Sequence, residues 1–166
     1  MAQQGSVHNR NQEMDLLSMI KKEGIKVNVC ANDWEDAILK VGELMVEIGV
    51  ARPEYAEGMI KTVKEMGPYI VITKGIALPH ARPEEGALKT ALVIVKLKKP
   101  INFGNPDNDP VDILIGLTAV DKKSHIKALA QLARVLQQSD ALKKLHEANT
   151  SEEIYDIIRT ALRKIN

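Results

Sequence analysis

Two short runs, Leu92-Val93-Ile94-Val95 and Ile113-Leu114-Ile115-Gly116-Leu117, carry no polar residue and none of the alternation of a strand with one wet face. A strand of that kind is covered on both sides, so helices must lie on both faces of the sheet that holds it. The rest of the chain supplies them. Trp34, Ala37, Ile38, Val41, Leu44, Met45 and Ile48 form one apolar stripe ending at Gly49, and Asn32 with Glu35 resembles a capping box at its start. Pro53 suits a first helical position, and Ala56, Met59, Ile60 and Val63 extend a second stripe until Gly67-Pro68 ends it.

Past the second strand, Asp121 is an N-cap for a helix whose buried stripe is Ile126, Leu129, Ala130, Ala133 and Leu136. A short helix follows over Ser139 to Glu147. Thr150 with Glu153 opens the last helix, striped by Ile154, Ile157, Ile158, Ala161, Leu162 and Ile165. Earlier in the chain, Met14, Leu17 and Ile20 predict a helix over Glu13 to Glu23, stopped by Gly24. Ile25 to Val29 then reads as a strand, closed by Cys30 as a small apolar residue, and Tyr69 to Ile72 as another before a tight turn near Lys74-Gly75. The expected fold is α/β, a mixed central sheet with helices on both faces. At 166 residues the chain can bury a core that needs neither disulfide nor metal. Met1 to Gln12 is a polar lead, disordered or an expression remnant, and includes His8; residues 13–166 read as a single domain.

Several function classes drop out. Cys30 is the single cysteine, which forbids an internal disulfide and suits a reducing compartment. The lead has neither a basic nor an apolar region of a secretory signal, and no apolar run reaches a membrane span. A cytoplasmic protein is expected, acting at a membrane only through a partner. A net charge of +1 and 3% aromatic content leave little for phosphate backbones or base stacking, so nucleic acid is not a partner.

No cofactor is expected and no metal site. Asp107, Asp109 and Asp112 hint at a calcium loop, but Val111, Asp112 and Thr118 stand where that loop needs a ligand, a glycine and a glutamate. The histidines have no third ligand at zinc spacing. His146 reads as a helix C-terminal residue favoured by the dipole, and Lys96, Lys98 and Lys99 as a solvated run at a strand end.

The chemistry points to Gly75-Ile76-Ala77-Leu78-Pro79-His80-Ala81-Arg82-Pro83-Glu84-Glu85-Gly86. Pro79 fixes its own φ and drives Leu78 into extended backbone, so His80 is placed rather than left to wander. Its unperturbed pKa is near neutrality, and Arg82 adds a cation two residues on, which suits chemistry on an anion. His125 falls in the first turn of its helix, where the positive end of the dipole disfavours imidazolium and backbone N–H groups can meet an anion. If the sheet brings that turn beside His80, the pair forms a phosphoryl-transfer constellation with Ile76, Leu78 and Ala81 as an apolar rim. Such transfer is mostly positioning and charge stabilisation, and it needs few groups.

Gly75-Ile76-Ala77-Leu78-Pro79-His80 resembles the active-site segment of the fructose and mannitol type enzyme IIA domains of the bacterial sugar phosphotransferase system. Ala119-Val120-Asp121-Lys122-Lys123-Ser124-His125 stands where that family carries its second histidine. Gly67-Pro68-Tyr69-Ile70-Val71-Ile72, Arg82-Pro83-Glu84-Glu85-Gly86 and Asn108-Asp109-Pro110-Val111-Asp112-Ile113-Leu114-Ile115 are most similar to the ascorbate branch. The resemblance runs from about Asp33 to the C-terminus and implies the mannitol-type IIA fold. It also implies that His80 accepts a phosphoryl group from the phosphocarrier HPr and passes it to a cysteine of a IIB component, serving a membrane IIC transporter indirectly. His125 would support the group without carrying it. The arginine that the mannitol branch carries sixteen residues before its histidine is Lys64 here, a point charge that cannot form a bidentate fork, and Arg82 would compensate.

Two other readings stay open on the residues alone. One is a regulatory phosphodomain whose modification controls a partner, and the other an interaction module in which His80 is structural. An exposed face of the helix from Asp33 to Gly49 could also join two copies as a homodimer.

Overall fold

The computed structural model describes residues 16–165. The polar lead, with His8, lies outside the described residues. Five strands, β1 (Ile20–Val29), β2 (Val71–Thr73), β3 (Ile76–Ala77), β4 (Ala91–Ile101) and β5 (Val111–Thr118), form one sheet in the order β1-β4-β5-β3-β2. β4 and β5 pair antiparallel, with Leu92 opposite Leu117 and Ile94 opposite Ile115. β1 runs parallel to β4, β3 parallel to β5, and β2 antiparallel to β3. The sheet is mixed, as expected.

Both faces are covered. Helices α1 (Trp34–Glu47) and α2 (Glu54–Met66) lie on one face, where Ala37, Val41, Met45 and Met59 join Val93, Val95 and Leu114 in one buried cluster. Helices α3 (Lys122–Leu136), α4 (Ser139–Glu147) and α5 (Ser151–Lys164) lie on the other, where Leu132, Ile154 and Ile158 meet Leu92, Ile94, Ile113 and Ile115. Of the stripe expected for α3 only Leu136 is buried, and the helix turns Ala128, Leu132 and Val135 inward while Ile126, Ala130 and Ala133 are exposed. Alternate residues of β4 and β5 thus enter opposite cores, and each fully buried aliphatic side chain contributes about 1.5–3 kcal/mol. Gly116 lets α1 come close, because a Cβ there would collide with Val41 and Met45. No helix among the described residues is long and apolar enough to cross a membrane.

The helix expected over Glu13 to Glu23 gives way, among the described residues, to a 3-10 turn at Leu17–Met19 and the start of β1 at Ile20. Ile20 pairs with Leu92 and Ile25 with Ile94, so the intervening residues bulge from the sheet edge. Pairing with the buried β4 outweighs the local period of three. Cys30 does not close the alternation; it is exposed. Tyr69 belongs to a 3-10 turn, Pro68–Ile70, and the strand begins two residues later at Val71.

At the start of α1 the cap is Asp33, one residue beyond Asn32: Asp33 Oδ1 accepts the Asp36 N–H at 2.8 Å, and Asp36 Oδ2 accepts the Asn32 N–H at 2.9 Å. Pro53 stands just ahead of α2. Asp121 and Thr150 cap α3 and α5 as expected, accepting the N–H groups of Ser124 and Glu153 at 2.7 and 3.1 Å. The aspartate-rich loop is organised by Asp109, whose carboxylate accepts the N–H groups of Phe103, Gly104 and Asn105 at 2.8–3.0 Å. Lys96 is no solvated charge: its ammonium donates to the carbonyls of His146 and Ala148 at the end of α4.

Candidate functional site

β3 delivers the chain into the segment that carries His80, and hydrogen bonds on either side hold that segment to the sheet. Leu78 N–H donates to Ile70 O at 2.7 Å, and Leu117 N–H on β5 donates to Pro79 O at 3.0 Å. His80 itself bridges to Leu117 in parallel register. The extended backbone that Pro79 imposes therefore continues the sheet as far as His80. Beyond it, Arg82 N–H meets Glu85 Oε2 at 3.2 Å and the 3-10 turn Pro83–Glu85 closes the loop.

The His80 ring is held in one orientation. Its Nδ1 lies 2.8 Å from the Leu78 carbonyl. A carbonyl can only accept, so Nδ1 carries the proton and, in the neutral ring, Nε2 keeps its lone pair.

The sheet brings His125 to the same place. The β5–α3 connection is fixed by Thr118 Oγ1, which donates to Lys89 O at 2.7 Å, and by Val120 N–H, which donates to Thr90 Oγ1 at 3.1 Å. One turn into α3, the His125 ring stands 5.6 Å from that of His80 between centroids, with the planes tilted by 54°. Burial, and then the neighbouring His80, hold the His125 pKa below the ordinary histidine value. The shift favours the neutral ring, which keeps one N–H to donate. The Asp121 carboxylate accepts the Ser124 N–H of the same turn at 2.7 Å, and that bond above all holds its pKa below the usual carboxylate range. Of the first-turn N–H groups expected from the sequence to meet an anion, that of Ser124 is taken by the helix's own cap.

Both histidines line an open cleft of about 750 Å³ between the end of α2 and the start of α3. Arg82, Lys61 and Lys122 line it as well and supply cations. Lys64 is not among its lining residues; its ammonium is 3.1 Å from Glu35 on α1. The rim also differs from expectation. Ile76 and Leu78 are 0% and 4% exposed and belong to the core, Ile76 in β3 and Leu78 just past it, whereas Ala81 lines the cleft although only 7% exposed. The apolar edge is instead Met66 and Val120, 62% and 48% exposed. The sequence reading missed both, and missed Tyr55, whose buried hydroxyl meets Ala81 and Leu117 beside His80. A tyrosine in an apolar helical stripe is the signal for it, since a buried phenol needs a polar partner.

A second histidine pairing lies away from the cleft. His146 Nδ1 is 2.7 Å from Asp112 Oδ1 on β5, and its Nε2 is 3.1 Å from the Lys74 carbonyl in the β2–β3 turn. This residue ties the end of α4 to the turn that opens the His80 segment, a contact that no local pattern announces.

Comparison with known proteins bears on the family and the fold. Residues 18–161 match the family described as phosphoenolpyruvate-dependent sugar phosphotransferase system, EIIA 2. The chain is 38% identical over 143 residues to the ascorbate-specific PTS system EIIA component of Shigella boydii, covering 85% of this chain and 92% of that protein. Among solved structures, it resembles the mannitol-specific cryptic phosphotransferase enzyme IIA of Escherichia coli, with a TM-score of 0.78 and 33% identity over 87% of this chain and 99% of that one. It also resembles the complex of enzyme IIA and phosphorylated enzyme IIB for mannitol from Escherichia coli, with a TM-score of 0.75 and 25% identity over 85% of this chain and 97% of that one. A mixed sheet between two helical layers, two histidines converging in one cleft and a match that spans most of the sequence lead to one assignment: the chain belongs to the EIIA 2 family of the phosphoenolpyruvate-dependent sugar phosphotransferase system.

Proposed function

We propose that the chain is a cytoplasmic phosphohistidine carrier of a sugar phosphotransferase system, and that His80 Nε2 is the atom that carries the phosphoryl group. The observation that supports this most is the His80 Nδ1–H bond to Leu78 O at 2.8 Å, which leaves Nε2 unprotonated in an open cleft beside a second imidazole. The Nε2 lone pair attacks the phosphorus carried by HPr. A new N–P bond forms as the old one breaks, and the leaving nitrogen keeps its electron pair. In the second half-reaction a thiolate of the IIB component attacks the same phosphorus and His80 regains its lone pair. His125 donates to a phosphoryl oxygen in both steps, and Arg82 offsets its charge.

Ascorbate is the proposed sugar of the complete system, on the 38% identity to a component of that name. The carrier meets HPr and IIB and reaches the membrane IIC transporter only through IIB. The test is incubation with phosphoenolpyruvate, enzyme I and HPr, followed by intact mass measurement and mapping of the modified residue. One phosphoryl group on His80, passed to a IIB cysteine, is expected. Phosphate retained on the chain in the presence of IIB would indicate a regulatory domain instead. No uptake, or uptake unaffected by His80→Ala, would sink the assignment.

A further inference from the structure

Tyr55 is the second residue of α2, 1% exposed, and does not line the cleft. Its Oη accepts the Ala81 N–H at 3.0 Å and lies 2.9 Å from the Leu117 carbonyl and 3.1 Å from the Ala81 carbonyl. A phenol has one proton, so it donates to one carbonyl at a time, and Leu117 is the nearer. Burial raises its pKa to about 12, which keeps that proton in place across the neutral range.

The two residues it joins stand on either side of the reacting ring. Ala81 follows His80 in the chain, and Leu117 is the strand residue to which His80 bridges. Leu117 N–H already holds Pro79 O at 3.0 Å. The backbone before His80 is thus tied to Leu117 directly, and the backbone after it is tied to Leu117 through the Tyr55 hydroxyl. Two anchors on one strand residue leave the intervening imidazole little freedom to swing about its own backbone.

We infer that Tyr55 is a positioning residue for His80: its hydroxyl clamps the Ala81 peptide to β5 and so fixes the direction in which Nε2 faces the cleft and His125. The inference rests on the reading of His80 as phosphoryl acceptor. Near-attack geometry is steep in its effect on rate, so an acceptor ring released by even an ångström loses speed while the docking rim is untouched.

The test is Tyr55→Phe, which keeps the ring packing and removes the hydroxyl. Single-turnover acceptance from phosphorylated HPr is measured against HPr concentration, alongside the ¹⁵N shifts of the His80 ring. The saturating rate should fall about 10- to 100-fold. The half-saturating HPr concentration should stay put, and the single-tautomer signature of His80 should be lost. An unchanged saturating rate and unchanged ring shifts in a folded variant would overturn the inference. Should the wild-type protein take no phosphate on His80, the carrier reading fails, and the ring shifts alone then decide whether Tyr55 sets the imidazole's state. If the variant does not fold, hydrogen exchange at Ala81 in the wild-type protein decides: protection supports the clamp, and exchange at the rate of an open loop overturns it.

Discussion

The rings of His80 and His125 stand 5.6 Å apart although one sits in the loop after β3 and the other one turn into α3. They differ in how they are held: His80 Nδ1 is committed to the Leu78 carbonyl, while burial, with His80 beside it, holds the His125 pKa below the ordinary histidine value. On the proposed function, this asymmetry would separate the group that is modified from the group that steadies the modification. His80→Ala should abolish phosphoryl uptake from HPr, read by intact mass. His125→Ala should still accept but transfer about 10²-fold more slowly, the effect of losing one preorganised donor. His125→Gln, which retains a donor, should recover part of that loss. Wild-type rates in both half-reactions for His125→Ala would remove its role.

A docking prediction follows from Met66 and Val120, which are exposed at 62% and 48% on opposite sides of the cleft. Large apolar side chains left in water together around a reactive group mark a surface that a protein partner covers. Val120→Asp and Met66→Asp should each raise the HPr concentration at half-maximal rate by about tenfold, near 1.4 kcal/mol. The rate at saturation should hold, because neither residue touches the His80 ring's own hydrogen bond. Steady-state phosphorylation at varied HPr separates the two quantities, and a fall in the saturating rate alone would contradict the docking role.

What was legible in the sequence follows from the range of each interaction. The runs Leu92 to Val95 and Ile113 to Leu117 announced a sheet covered on both faces, and Asp121 and Thr150 announced their helices, because a strand's two faces and a cap's reach of three residues are local properties. The loop after Pro79 was legible for the same reason. Of the expected rim, Ala81 does line the cleft, while Ile76 and Leu78 were misjudged because only the pairing of Ile76 with β5 and the Leu78 bond to Ile70 show that their side chains enter the core. Tyr55, Lys96 and His146 find their partners far along the chain, at Leu117, Ala148 and Asp112, and no spacing rule reports a partner set by tertiary register.

Gly75 joins the turn to the His80 segment at φ +75°, and its carbonyl accepts the N–H groups of Asp112 and Ile113, each at 3.1 Å. A Cβ there would stand 2.6 Å from His146 Cε1 and 3.1 Å from Asp112 Oδ1. Gly75→Ala should therefore cost about 2–3 kcal/mol, part from the left-handed backbone and part from displacing the His146–Asp112 pair. Urea unfolding of Gly75→Ala, His146→Ala and the double variant checks this. The double should be less destabilised than the sum, since removing the imidazole relieves the clash and leaves the backbone strain. Strict additivity would show that the His146 ring is not what the new methyl meets.

The pH dependence of stability separates two histidines that pull in opposite directions. Both His146 nitrogens face acceptors, Asp112 Oδ1 at 2.7 Å and Lys74 O at 3.1 Å. A neutral ring can donate to one of them, and an imidazolium to both. The Asp112 carboxylate accordingly raises the His146 pKa above the ordinary 6.5, against burial and the Lys96 ammonium. A raised folded value means that this contribution is complete below 6.5 and is lost as pH rises through the folded pKa. For His125 the sign reverses. Its folded pKa lies below 6.5, so its contribution is present above 6.5 and is lost as pH falls through the folded value, where the unfolded chain takes up the proton more readily. Unfolding free energy measured between about pH 5 and pH 9 should decline on both sides of a maximum. His146→Gln should flatten the alkaline decline and leave the acid one, and His125→Gln should do the converse. The same curve for His146→Gln and wild type above neutrality would mean that the Asp112 pair holds a neutral ring.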